Sequence, residues 1–280
     1  MNDFKPLQVI ALGAHPDDCE AYFGGTAALF ARMGHHVTFV SLTNGDSGHH
    51  IRGGGDLARR RAEEAKASQD ILGISRYEIL NNHDGELFPS LPLRHEIVRL
   101  IRRFGADLVV THRPNDYHPD HRYGSMAVQD AAYLVMVPNF CPDTPALRRN
   151  PVFLYLQDGF KKPYPFQPDI AVDIDSAWET KLAAMAAHVS QFGEWLPWVD
   201  GYSHTLPTDP VEASKQAVAR YTHPIDQGVR DALRRSYGDH ADGVARAEAF
   251  EICEYGRRPS MEEIPVLFPM TADTQTVGSR

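Results

Sequence analysis

The chain has 280 residues, enough for one generous α/β domain or a domain with a small appendage. Its 42% hydrophobic and 23% charged residues are those of an ordinary globular protein, and a net charge of -9 leaves no cationic footprint for nucleic acid. Cys19, Cys141 and Cys253 are too few and too scattered for a disulfide framework, and neither a leader pattern nor a run of about 20 apolar residues is seen, so a cytoplasmic protein without a membrane span is expected.

Apolar runs and amphipathic stretches alternate through the first half, the pattern of βαβ units around a mostly parallel sheet. Strands are expected over 9–12, 37–42, 77–80 and 108–111. Helices are expected between and after them, over 21–33, 57–72 (stopped by Gly73), 93–104 (stopped by Gly105) and 123–135. The Gly-rich stretch 45–55 follows the second strand and should lie over the same sheet edge, as a surface loop or a substrate lid. Prolines 138, 142 and 145 make 139–150 a loop. Strands over 152–156 and 170–174 follow, then a helix over 177–192 with Leu182, Met185, Ala186 and Val189 at helical spacing. Residues 193–224, with four prolines, look irregular, 193–258 is a family-specific C-terminal part, and the chain from 259 to 280 reads as a tail, leaving 1–258 as a single domain.

Two tetrads stand out. His15-Pro16-Asp17-Asp18 follows the first strand, and His118-Pro119-Asp120-His121 follows the fourth. Proline suits a first helical position and an aspartate suits the positive end of a helix, so either tetrad alone reads as a helix start. Two copies, each led by histidine after an apolar run, point further. Residues three apart share one side of a turn, so His15 with Asp18 and His118 with His121 form pairs that a parallel sheet would gather in one crevice. A dinucleotide is excluded there, because the turn lacks a Gly-rich fingerprint and its carboxylates repel phosphate.

Zinc takes nitrogen and oxygen ligands, and a catalytic zinc commonly keeps three protein ligands and an open position for water, whose pKa it lowers to about 7. His15, Asp18 and His121 make such a set. Asp17, free of the metal, is placed to accept the water's proton as general base. His118, as an imidazolium, would stabilise the oxyanion or protonate the leaving amine, with Asp120 holding its orientation.

The run Ala14–Glu20 with Gly24-Gly25-Thr26, and the second block Arg113–His121, resemble the PIG-L/LmbE-like zinc deacetylases. Weaker matches are Arg61-x-x-Glu64 before Leu72-Gly73, and Lys181, Ala184 and His188–Gln191. The resemblance covers roughly 8–192. It implies a Rossmann-like fold and zinc-dependent removal of an N-acetyl group, commonly from an N-acetylglucosamine unit. It assigns zinc to His15, Asp18 and His121, the base to Asp17, and oxyanion or acid work to His118. Some members carry a tyrosine two residues before the first histidine of the second block. Here Asp116 stands at that position and Tyr117 beside the histidine. Arg61, Asp116, Tyr117 and His188 are therefore the candidate substrate contacts. His83-Asp84-Gly85 reads as a turn.

The leading expectation is a zinc hydrolase acting on an N-acetylated amino sugar or glycoconjugate. The alternatives are a zinc amidase of thiol conjugates, a non-catalytic metal-site binding module, and a phosphoester hydrolase, which usually needs ligands for two metals. The sequence leaves homo-oligomerisation open.

Overall fold

Strands that are apolar on both faces need cover on both, and the helices supply it. The computed structural model describes residues 5–272. Strands β1 (Gln8–Gly13), β2 (His36–Ser41), β3 (Arg76–Ile79), β4 (Leu108–Thr111), β5 (Val152–Leu156), β6 (Ile170–Asp173) and β7 (Ala247–Ile252) form one sheet in the order β3-β2-β1-β4-β5-β7-β6. β1 to β5 run parallel, while β7 is antiparallel to both of its neighbours. The mostly parallel α/β architecture expected from the alternation is the one found.

Helices α1 (Asp18–Arg32), α2 (Gly54–Leu72), α3 (Leu91–Phe104) and α4 (Pro119–Leu134) fall where the periodicity places them, each starting two to four residues earlier than expected. Val9 and Ala11 face one core with Phe23 and Phe30 of α1. Ile10 and Leu12 face the other with Ile97 of α3 and Val128 of α4. Strand order reverses between β1 and β4, whose ends lie level with Leu12 opposite Thr111. A crevice at that point is the binding position of open α/β sheets. Both tetrads open into it.

Three stretches differ from expectation. The helix expected over 177–192 stops as α5 (Trp178–Ala186), and a π-helical segment, Val189–Trp195, takes over. The interruption has partners. His188 Nε2 lies 2.9 Å from Glu20, and Ser190 donates to Glu64 from both its amide and its hydroxyl. Second, 193–224 is more regular than its prolines suggest, with α6 (Leu196–Val199) and α7 (Pro210–Ala217), and it is followed by α8 (Gln227–Tyr237) and β7. Glu248 of β7 accepts from the amides of Gly25 and Thr26 and from Lys181 Nζ, and so ties α1 and α5 to the sheet. A Cβ on Gly25 would lie 2.8 Å from Ile174, so glycine is required by that close packing. Third, the expected tail is anchored as far as Ala272. Ile264 and Leu267 of α9 (Ile264–Leu267) are buried in the core, as is Phe268, which packs against Phe30 and Phe250. Residues 273–280 lie outside the described residues. Among the described residues, no helix is long and apolar enough to cross a membrane.

Candidate active site

Each tetrad is held by the end of its strand. Gly13 closes β1, and α1 begins at Asp18, so Pro16 precedes the helix rather than opening it. At the second tetrad, Pro119 is the first helical residue and His118 is the cap, its Nδ1 accepting the Asp120 amide at 3.2 Å.

The side chains converge. Asp18 Oδ2 accepts the His15 amide at 2.8 Å and lies 3.5 Å from His15 Nδ1, while Oδ1 lies 3.4 Å from His121 Nε2. The far nitrogen of each ring meets another carboxylate. His15 Nε2 is 3.2 Å from Asp120 and 3.3 Å from Asp84, and His121 Nδ1 is 3.0 Å from Asp116. The His118 ring stands edge-on to His15, with centroids 4.6 Å apart. Three overlapping groups have ligand atoms close enough to share an ion: His15–His118–His121, Asp18–His112–His121 and His15–Asp84–Asp120.

These contacts set the protonation states. Burial works to lower His15, but Asp120, Asp18 and Asp84 hold it well above its usual value. His121 is likewise raised against burial, by Asp18 and Asp116, to about 9. Burial works to raise Asp18, yet His121 and His112 pull it well below the carboxylate range. Asp17 is raised by burial, with Arg61 opposing.

Several expectations are corrected by this geometry. The Asp120 carboxylate does not hold His118, which meets Asp120 only at its backbone amide. The carboxylate accepts from the Gly85 and Leu87 amides and contacts His15, so it orients His15 and the turn after β3. His118 is not set up as an imidazolium, because burial, then His15 and His121, push its pKa down, and Nδ1 is already an acceptor. Asp116 is not turned to substrate. It holds the His121 ring and caps the His118 amide. His188 is wholly buried against Glu20 and does not line the cleft. Arg61 does line it, but its guanidinium is taken by Asp17 at 3.0 Å, Asp84 at 3.5 Å and the Gly45 carbonyl. Gly45 has φ +68°, and a Cβ there would lie 2.7 Å from Arg61, so that contact needs glycine. Tyr117 lines the cleft mouth and is 74% exposed.

Sequence reasoning missed His112, and it read Asp84 as part of a turn, which it is, without its contact to His15. His112, one residue past β4, stacks on His121 with centroids 4.0 Å apart and reaches Asp18 at 3.1 Å. Its signal was its place at the carboxyl end of a central strand. The π-helical segment, which brings Gln191, Phe192 and Trp195 to the cleft, left no such signal.

The family model described as PIG-L, GlcNAc-PI de-N-acetylase, matches residues 10–132. A diacetylchitobiose deacetylase of Thermococcus kodakarensis is 34% identical over 212 residues, covering 73% of this chain and 77% of that one. The chain belongs to the PIG-L family. Another relative, a 4-oxalmesaconate hydratase of Pseudomonas putida, is 25% identical over 194 residues, 66% of this chain and 74% of its own. Among solved structures, N,N'-diacetylchitobiose deacetylase from Pyrococcus horikoshii superposes with a TM-score of 0.66 at 25% identity, covering 88% of this chain and 84% of that one. The matched span of the PIG-L model takes in both tetrads, His112 and Asp84.

Proposed function

We propose that this chain is a zinc-dependent N-deacetylase that hydrolyses the acetamide of an N-acetylated amino sugar or glycoconjugate, with zinc held by His15 Nδ1, Asp18 and His121 Nε2. The observation that carries the reading is the arrangement of those atoms. Asp18 stands between the two rings, Oδ2 at 3.5 Å from His15 Nδ1 and Oδ1 at 3.4 Å from His121 Nε2, and His121 shares one ion-capable group with His15 and another with Asp18. A ligating histidine gives its other N–H to a carboxylate, which fixes the ring and its tautomer. Asp120 and Asp116 stand in that position for His15 and His121.

A zinc ion there supplies a Lewis acid that polarises the acetamide carbonyl and lowers the pKa of water. The protein groups do the rest. Arg61 occupies Asp17 Oδ1, which leaves Oδ2 to take the proton of the attacking water and later return it to the departing amine. Burial raises the pKa of Asp17, which suits it to both transfers. His118, with Nδ1 engaged by the Asp120 amide, presents Nε2–H to the oxygen that gains charge as water adds to the carbonyl carbon. Collapse breaks the C–N bond and leaves acetate and a free amine.

The relatives named as deacetylases act on N-acetylated sugars, and the described cysteines are all free and buried, as suits a cytoplasmic enzyme. The test is release of acetate and amine from N-acetylglucosamine and N,N'-diacetylchitobiose by zinc-loaded protein. One acetate per new amine supports the reading. Turnover of an unsaturated acid or a thiol conjugate, with no acetate from either sugar, would replace it with a hydratase or a thiol-conjugate amidase.

A further inference from the structure

The cleft over the two tetrads encloses about 200 Å³, below the roughly 300–1,000 Å³ of sites that bury a drug-sized ligand. A substrate larger than one sugar ring must extend over its rim. An aromatic ledge stands there. Trp195 lines the cleft, and Trp198, one helical turn on, has its ring 5.5 Å away and tilted by 23°. His50 of the Gly-rich loop stacks on Trp198 at 4.8 Å and 8°, and His49 stacks on His50 at 4.7 Å. The ledge is locked. His49 Nε2 meets Glu194 at 2.8 Å, and Arg60 holds the same carboxylate through two bonds of 2.7 and 2.9 Å. Trp198 nevertheless stays 51% exposed. A tryptophan stacked on an imidazole, with half its surface in water, adds little to the core.

We propose that Trp198 and His50 form a second sugar subsite, which holds a neighbouring pyranose while its partner's acetamide lies over the tetrads. The substrate is then a disaccharide or longer glycoside rather than a single amino sugar. This rests on the deacetylase reading above. The face of a pyranose is lined with C–H bonds of slight positive charge, which match the negative face of an aromatic ring. A rigid indole offers that area at low conformational cost. Glu194 and Arg60, partly exposed at the rim, supply an acceptor and donors for ring hydroxyls.

The experiment compares KM and kcat for N-acetylglucosamine and N,N'-diacetylchitobiose in the wild type, Trp198→Ala and Trp198→Phe. Calorimetric binding of chitobiose to the same three proteins is measured alongside. Trp198→Ala should raise the ratio of disaccharide to monosaccharide KM about threefold to tenfold, as expected for one lost aromatic stack, with disaccharide kcat held. Trp198→Phe should restore most of the ratio. A ratio unchanged in Trp198→Ala overturns the subsite. If neither sugar releases acetate, the deacetylase reading fails and calorimetry decides the ledge: chitobiose binding that weakens in Trp198→Ala upholds it, and binding that is absent or indifferent to Trp198 overturns it.

Discussion

Asp120→Asn is the substitution whose outcome follows most directly from the geometry. The wholly buried carboxylate gathers three donors: Oδ2 receives the Gly85 amide at 2.7 Å and His15 Nε2 at 3.2 Å, and Oδ1 receives the Leu87 amide at 3.1 Å. An amide keeps one acceptor oxygen and turns an NH2 toward the remaining donors, leaving at least one buried N–H unpaired. That costs about 1–3 kcal/mol, or a fall in Tm of roughly 2–5 °C for a chain of this size. His15 also loses the carboxylate behind its ring, which should weaken zinc binding about 10–100-fold. Thermal unfolding of metal-free protein measures the first effect, and competition with a zinc chelator measures the second. Asp130→Asn, which removes an exposed ion pair with Arg94, serves as the control and should change stability by no more than about 1 kcal/mol. If Asp120→Asn matches that control in both assays, Asp120 does not position His15 and the reasoning fails.

Asp17→Asn should retain zinc and lose about 10²–10⁴-fold in kcat, and equal loss of metal in this variant would take the base role away from it. His118→Ala should also keep its metal and lose about 10²–10³-fold, the cost of one oxyanion donor. Loss of zinc would instead make His118 a ligand in place of Asp18. pH gives an independent check. In the metal-free protein His15 and His121 are raised, His121 to about 9, so near neutrality zinc must displace their protons. Zinc affinity should therefore climb with pH, most visibly as His121 gives up its proton near pH 9. The raised His121 imidazole stabilises the metal-free fold fully below its unfolded value near 6.5, and that contribution is lost as pH rises through about 9. Urea unfolding across pH 6–10 should show the loss in metal-free protein and not in zinc-loaded protein.

The twin tetrads and the parallel half of the sheet were legible because both are local. Apolar runs with period 2 or 3.6 give the elements, and the switch in strand order brings the two strand ends together. Long-range partners carried what was hidden. Asp84 looks like a turn residue until α4 brings Asp120 beside it on His15, and Asp116 looks like a free carboxylate until His121 is seen above it. β7 was missed because Glu248 and Glu251 spoil its apolar alternation. One of them is buried only because Lys181 and two amides of α1 neutralise it. The π-helical segment depends on Glu64 and Glu20 from other helices, so no local pattern announces it.

The central claim is that zinc on His15, Asp18 and His121 makes this cleft a deacetylase. It is tested most directly by titrating zinc into chelator-stripped protein while acetate release from N,N'-diacetylchitobiose is followed in the wild type and in His121→Ala. The stripped wild type should release no acetate, the gain should be linear and break at one equivalent of zinc, and His121→Ala should show neither tight zinc binding nor acetate release. Full zinc occupancy in that variant, or acetate release by the stripped wild type at the loaded rate, would contradict it.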